Sequence, residues 1–217
     1  MSYKAEILPY NETASINYSM IGDFRPINIF RFFCVSLFRD KWYYSRVPLK
    51  YIAELTGMKT AGNFTNELGE YLNKKHFCAE TGNPHFSPRR NLYTIPPMEI
   101  QSITIHRSYV VLDIDSSAKG LLIQLKLLQT YGEEPLTPNL ILSKLIISKP
   151  TLNKYLLQLQ LQNLVSIKSN GEIKVMDNEY FSSPDFSQQK ISSRRDLKLQ
   201  YGVPNIILSS KSKSEIK

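Results

Sequence analysis

Residues 148–177 read SKPTLNKYLLQLQLQNLVSIKSNGEIKVMD, and this stretch constrains the fold more than any other. A cap-type Ser148 opens a run whose leucines recur at helical spacing, with Leu152, Leu156, Leu159 and Leu164 on the buried line. Pro150 falls in the first turn, where its missing N–H does no harm. Two short alternating stretches follow, Val165 and Ile167 in the first, Ile173 and Val175 in the second. Between them stands Asn170-Gly171, a dipeptide suited to a type I′ hairpin turn. The expected local structure is a helix carrying a hairpin at its end.

Two more helices precede it. SSAKGLLIQLKLLQTYG (116–132) has Leu121, Leu122, Leu125 and Leu128 at helical period, with Ser116 or Ser117 as cap and Gly132 at its end. TPNLILSKLI (137–146) begins with the cap Thr137 followed by Pro138 at the first helical position. A looser copy of the same order lies upstream. INIFRFFCVSLFRDKW reads as a first helix, PLKYIAELTGM (48–58) as a second, and TAGNFTNELGEYLNKK (60–75) as a third. The third is capped by Thr60 and buries Phe64, Leu68, Tyr71 and Leu72. HFCAE and NLYTIP read as two strands joined by TGNPHFSPRR. Pro48 and Pro138 stand 90 residues apart, and the caps Thr60 and Ser148 stand 88 apart. Pro96-Pro97 marks the linker (95–104), after which HRSYVVLDI (106–114) reads as a strand leading into the second copy.

Three helices followed by a β-hairpin resemble the winged helix-turn-helix family. VPLKYIAELTGMKTAGNFTNELGEYLNKKHF and TPNLILSKLIISKPTLNKYLLQLQLQNLVSI carry the resemblance, which covers about residues 28–95 and 106–177. The fold it implies is α+β, with two winged helix-turn-helix domains in tandem, each of three helices plus a hairpin wing. Their bounds are 22–97 and 104–180, and residues 181–217 form a basic C-terminal extension. In that family the third helix enters the major groove of duplex DNA and the wing reaches the backbone or the minor groove. The residues carried over in the second copy are Ser148, Lys149, Thr151, Asn153, Lys154 and Gln158 on the helix, with Lys168, Asn170 and Lys174 on the wing. In the first copy they are Lys59, Thr60, Asn63 and Asn66, with Arg89 and Arg90 on or beside the wing. Lysine suits phosphate or guanine, and asparagine or glutamine suits adenine. Glu67 and Glu70 count against close phosphate approach at their end of the first copy's third helix.

Charge agrees with a polyanionic partner. The net charge is +8 and the pI about 9.3. Residues 181–217 hold 7 basic and 3 acidic residues, so half of the excess lies on that segment. Two cysteines are too few for a disulfide framework, which suits a reducing compartment. The most apolar stretch (27–38) includes Arg31 and is far shorter than a spanning helix, so the expected location is the cytoplasm, without membrane association.

No catalytic constellation stands out. The chain has neither a G-x-x-x-x-G-K-[ST] loop nor a G-x-S-x-G elbow, and only His76, His85 and His106 as histidines. His76, Cys78 and His85 are metal-ligand types, but a structural zinc site takes four ligands, and they read as a buried cysteine beside wing histidines. Asp113 and Asp115 read as acidic residues favouring a helix N-terminus. KWYYSR (41–46) reads as core packing by Trp42 or Tyr43 rather than a base-stacking platform. The sequence therefore implies no enzyme, no cofactor and no metal. The expected function is sequence-specific binding of double-stranded DNA as a transcription regulator, one chain reading an asymmetric site or a homodimer an inverted repeat. The alternatives are a plasmid or phage replication initiator built from paired winged helices, and a winged-helix protein-interaction module.

Overall fold

The computed structural model describes residues 11–41, 43–57, 63–74, 86–87 and 92–182. Two helices meet at its centre, and both are buried along nearly their whole length. The first, α1 (Pro26–Ser36), buries Ile29, Phe30, Phe32, Phe33, Cys34 and Val35. The other central helix belongs to the second half of the chain and buries Leu121, Leu122, Ile123, Leu125, Leu127 and Leu128. A helix without a polar stripe must be covered all round, and each of these two covers much of the other.

In chain order the described elements are β1 (Thr13–Asn17), a 3-10 turn (Tyr18–Met20), α1, β2 (Tyr44–Ser45), α2 (Leu49–Leu55), α3 (Phe64–Lys74), β3 (Phe86–Ser87) and β4 (Leu92–Thr94). Then come β5 (Ser102–His106), a second 3-10 turn (Arg107–Val111), α4 (Ser116–Tyr131), α5 (Pro138–Lys144), α6 (Lys149–Leu161), β6 (Val165–Ile167), β7 (Ile173–Val175) and β8 (Phe181–Ser182). The described residues thus form an α+β fold of six α-helices and three small antiparallel sheets, ordered β1-β5-β8, β2-β4-β3 and β6-β7.

The order and spacing of elements from β1 to α2 repeat from β5 to α5, and the antiparallel pairing relates β1 to β5 by a local two-fold. β1 and β5 start at Thr13 and Ser102, 89 residues apart, and the 3-10 turns at Tyr18 and Arg107, also 89 apart. α1 and α4 start at Pro26 and Ser116, 90 apart; α2 and α5 at Leu49 and Pro138, 89 apart. The strands pair antiparallel, Thr13 with His106 through Asn17 with Ser102. The central pair is therefore Ser15 and Thr104, whose hydroxyl oxygens lie 3.3 Å apart. Alternation turns Ala14, Ile16, Ile103 and Ile105 inward onto the helices.

Polar groups fix this junction. The buried Gln124 of α4 donates its amide N–H groups to the carbonyls of Ile21 and Phe24, just before α1, at 3.0 and 2.8 Å. At Gly120 of α4 the helices approach so closely that a Cβ would sit 1.6 Å from the Pro26 carbonyl oxygen. Lys119 sends its ammonium to the Val110 carbonyl at 2.6 Å and lies 5.1 Å from the Phe30 ring centroid. Burial lowers its pKa, and pushes the Cys34 thiol up to about 12.

Several expectations are corrected. The segment 95–104 is not a free linker: Asn17 donates to the Pro97 carbonyl and accepts from the Glu99 N–H, and Tyr131 donates to the Ser102 carbonyl. The strand expected in 106–114 lies earlier, at Ser102–His106, where Ile103, Thr104 and Ile105 alternate. Arg107–Val111 is a 3-10 turn in which the Ser108 N–H donates to the His106 ring nitrogen and the Arg107 N–H to the Glu12 carbonyl. β1 falls outside the 22–97 unit, and one continuous core includes residues of both halves. α1 ends at Ser36, six residues before Trp42. The first i→i+4 bond of α3 runs from Glu67 N–H to the Asn63 carbonyl, so Asn63 takes the cap position expected of Thr60. The described partners of β4 are Tyr44–Ser45 and Phe86–Ser87, and the strand expected at 76–80 lies outside the described residues. Tyr43 is not core: it is half-buried at φ +63°, under the Arg39 guanidinium at 4.7 Å. α4 is capped by Asp115, which accepts from the Ser117 N–H at 2.7 Å, rather than by Ser116 or Ser117. Thr60, Trp42, His76, Cys78 and His85 lie outside the described residues.

The Gly120 contact carries a prediction of opposite signs. Gly120→Ala drives a methyl into backbone that cannot swing away, and lowers stability by about 2–3 kcal/mol in denaturant unfolding. Gly69→Ala, inside α3 with nothing within 4 Å of its Cβ, raises stability by about 0.5–1 kcal/mol.

Candidate nucleic-acid interface

The last three helices and the β6-β7 hairpin build the best-formed candidate surface. Thr137 accepts from the Leu140 N–H at 3.3 Å and starts α5 with Pro138 at its first position. α6 begins after Ser148, whose carbonyl accepts from the Leu152 N–H. The Ser148 hydroxyl does not cap the backbone; it lies 2.7 Å from the Thr151 hydroxyl. Leu152, Leu156 and Leu159 are buried, as is Leu164 beyond the helix end. Asn163 turns the chain out of the helix at φ +55°, and the Leu164 N–H reaches back to the Leu159 carbonyl.

With that side hidden, the opposite side of α6 faces solvent. Ser148, Lys149, Asn153 and Lys154 are exposed, while Thr151 and Gln158 are half-buried at its edge. The Lys154 ammonium lies 5.1 Å from the Tyr155 ring centroid. Residues 149–162 contain no aspartate or glutamate. The centre of the exposed side also holds two leucines, Leu157 (59% exposed) and Leu161 (74% exposed), which are not among the polar residue types expected to contact DNA. Helical spacing sets them opposite Leu152 and Leu159, which is the signal in the sequence that marks them.

The hairpin stands beside this helix. Val165 pairs with Val175 and Ile167 with Ile173. Ile167 is more exposed than its alternation suggested, whereas Val165, Ile173 and Val175 are buried. The turn is not type I′. Only Gly171 takes positive φ, at +80°, while the Gly171 N–H bonds to the Lys168 carbonyl and the Lys168 N–H to that of Glu172. One glycine in the left-handed region after an ordinary turn makes a bulged hairpin. Asn170 is used within it, accepting from the Glu172 N–H at 3.0 Å. Lys168 is paired with Glu172 at 2.9 Å, and bonds from Lys168 and then Asn170 hold that carboxyl below its ordinary pKa. Lys174 is exposed and forms no ion pair with any described residue.

The corresponding surface of the first half is less complete. Asn63 and Asn66 are exposed at the start of α3. Glu67 does not face solvent; its carboxylate accepts from the Arg25 N–H at 3.0 Å and lies 3.6 Å from the Arg25 side chain. Glu70 is exposed. Lys59, Thr60, Arg89 and Arg90 lie outside the described residues.

One feature of the site comes from outside the third helices. A cavity of about 230 Å³ opens at the start of α6, lined by Arg25, Ser117, Ile146, Ser148, Thr151 and Tyr155. It joins the starts of α1, α4 and α6, which no local pattern in the sequence places together. Among the described residues no three His, Cys, Asp or Glu side chains gather as metal ligands, and no helix is long and apolar enough to cross a membrane. Comparison with family models, with curated proteins and with solved structures gives no match for this chain.

Proposed function

We propose that the chain binds double-stranded DNA through two winged helix-turn-helix units and acts as a sequence-specific transcription regulator. The observation that carries this reading is the solvent side of α6, which displays Lys149, Asn153 and Lys154 with no carboxylate between residues 149 and 162. A helix presenting cations and amides, and no anions, suits a phosphate-lined groove. The winged-helix assignment is supported on both sides of the local two-fold. In the second half the Ile173 N–H bonds to the Leu136 carbonyl, so the segment between α4 and α5 borders the two-stranded hairpin. In the first half β2, between α1 and α2, borders β4 in the order β2-β4-β3.

The repeat also supports the replication-initiator reading. One chain then presents two related units, a layout similar to that of initiators built from paired winged helices. Binding to direct repeats with melting of an adjacent origin favours the initiator, and binding to a single promoter operator favours the regulator. Leu157 and Leu161 are the apolar exposed positions that a protein-interaction module would display. Their flanking by Lys149, Asn153 and Lys154 favours nucleic acid.

Selection of bound oligonucleotides from a random duplex pool tests the proposal and supplies the site. If roughly six lysines and arginines neutralise phosphates, log K falls with log salt at a slope of about −5. Lys149→Ala with Lys154→Ala is expected to lower affinity by at least about tenfold and to flatten that slope by about two, with unchanged thermal unfolding. Unaltered affinity in the double variant overturns the site assignment. Glu172→Gln releases Lys168 from its ion pair and is expected to tighten duplex binding roughly two- to fivefold at low salt. A weaker or unchanged complex removes Lys168 from the interface.

A further inference from the structure

We propose that Leu157 is a specificity-determining residue that reads the C5-methyl group of thymine in the major groove, one helical turn beyond the base read by Asn153. The inference rests on the duplex-binding reading above and adds to it the base that this apolar position selects.

Asn153 and Leu157 are four residues apart on α6, hence neighbours on one side of the helix, and both are exposed. Their side is the one turned away from Leu152, Leu156 and Leu159. Four residues advance the helix by about 6 Å, close to two base-pair steps of about 3.4 Å. A helix lying along the groove therefore sets Leu157 against an edge within about two base pairs of the one facing Asn153. In the major groove that edge offers hydrogen-bonding groups and a single apolar one, the thymine methyl. Leucine has no hydrogen-bonding group, so the methyl is the one feature it selects.

Charge identifies the occupant. An exposed leucine by itself needs no explanation. Leu157 stands one turn beyond Asn153 and Lys154, in a helix that begins with Lys149 and has no acidic residues. A protein partner or a second copy would have to bury those ammonium groups with carboxylates supplied from its own side. α6 supplies none to a second copy of the same surface, and the carboxylate of the hairpin, Glu172, is held by Lys168. Phosphate rows flanking a groove supply the counter-charge on both sides of an apolar floor.

The test uses the full chain and the duplex it selects, with each thymine replaced in turn by uracil, which pairs identically but lacks the methyl. At one thymine, adjacent to or one base pair from an adenine whose replacement also weakens binding, uracil is expected to weaken the wild-type complex about fourfold, the worth of one buried methyl-sized group. Leu157→Ala is expected to weaken the parent duplex by a similar factor and to be indifferent to that uracil. Thermal unfolding of Leu157→Ala is expected to match the wild type, because the side chain is largely in solvent. Indifference of the wild type to uracil everywhere, or equal uracil sensitivity in wild type and variant, overturns the proposal while leaving duplex binding intact. Loss of a dimer in sedimentation of Leu157→Ala, without any uracil effect, reassigns the leucine to self-association. Failure to select any duplex overturns the DNA-binding reading and this inference with it.

Discussion

Everything else in the fold is arranged around the antiparallel pairing of β1 with β5 and the contact of α1 with α4 beneath it. A two-fold contact between similar elements demands that each present the same face to its counterpart. Ala14 and Ile16 on one strand and Ile103 and Ile105 on the other meet that demand, with Ser15 and Thr104 outward at the centre. Below them the two helices can approach only because Gly120 has no side chain where it meets the Pro26 carbonyl. Gln124 then satisfies the Ile21 and Phe24 carbonyls, which burial would otherwise leave unpaired. One continuous hydrophobic core includes residues of both halves.

The parts of this structure visible in the sequence are those decided by short-range chemistry. Thr137-Pro138 starts α5 because a capping hydroxyl and a pre-set φ act within four residues. Leu152, Leu156 and Leu159 are buried because a helix forces that spacing onto one side. The failures have equally local causes. β1 is five residues of small and polar type with two apolar members, Ala14 and Ile16, too weak a pattern to stand out without its partner. Tyr109, Val110 and Val111 favour extended backbone, yet they sit in a 3-10 turn because Tyr109 has to be buried and donate to the Lys119 carbonyl. Pro96-Pro97 reads as a spacer because proline cannot pair its nitrogen; the hydrogen bonds that pin the segment come from Asn17, 80 residues away.

The candidate site divides in the same way. Ser148, Lys149, Asn153 and Lys154 are exposed as the helical pattern implies. The Lys168–Glu172 pair, the use of Asn170 inside the turn and the inward rotation of Glu67 toward Arg25 depend on backbone geometry. Each changes the electrostatic account: the wing loses one free cation, and α3 loses one of the two anions expected on its outer side. Arg25 and Ser117 reach the start of α6 only through the packing of α1 on α4.

That packing also bears on what a paired reader could recognise. Two binding units joined by a flexible tether select half-sites and tolerate variation in the distance between them. Here the connecting segment is held by Asn17, Ser19 and Tyr131, and β5 at its end is hydrogen-bonded to β1 of the first half. The relative placement of α3 and α6 is then a property of the core, set by Gly120, Gln124 and the Ser15–Thr104 register. Under the proposed function, spacing between half-sites becomes part of the recognised sequence. The discrimination it provides comes from residues that touch no DNA.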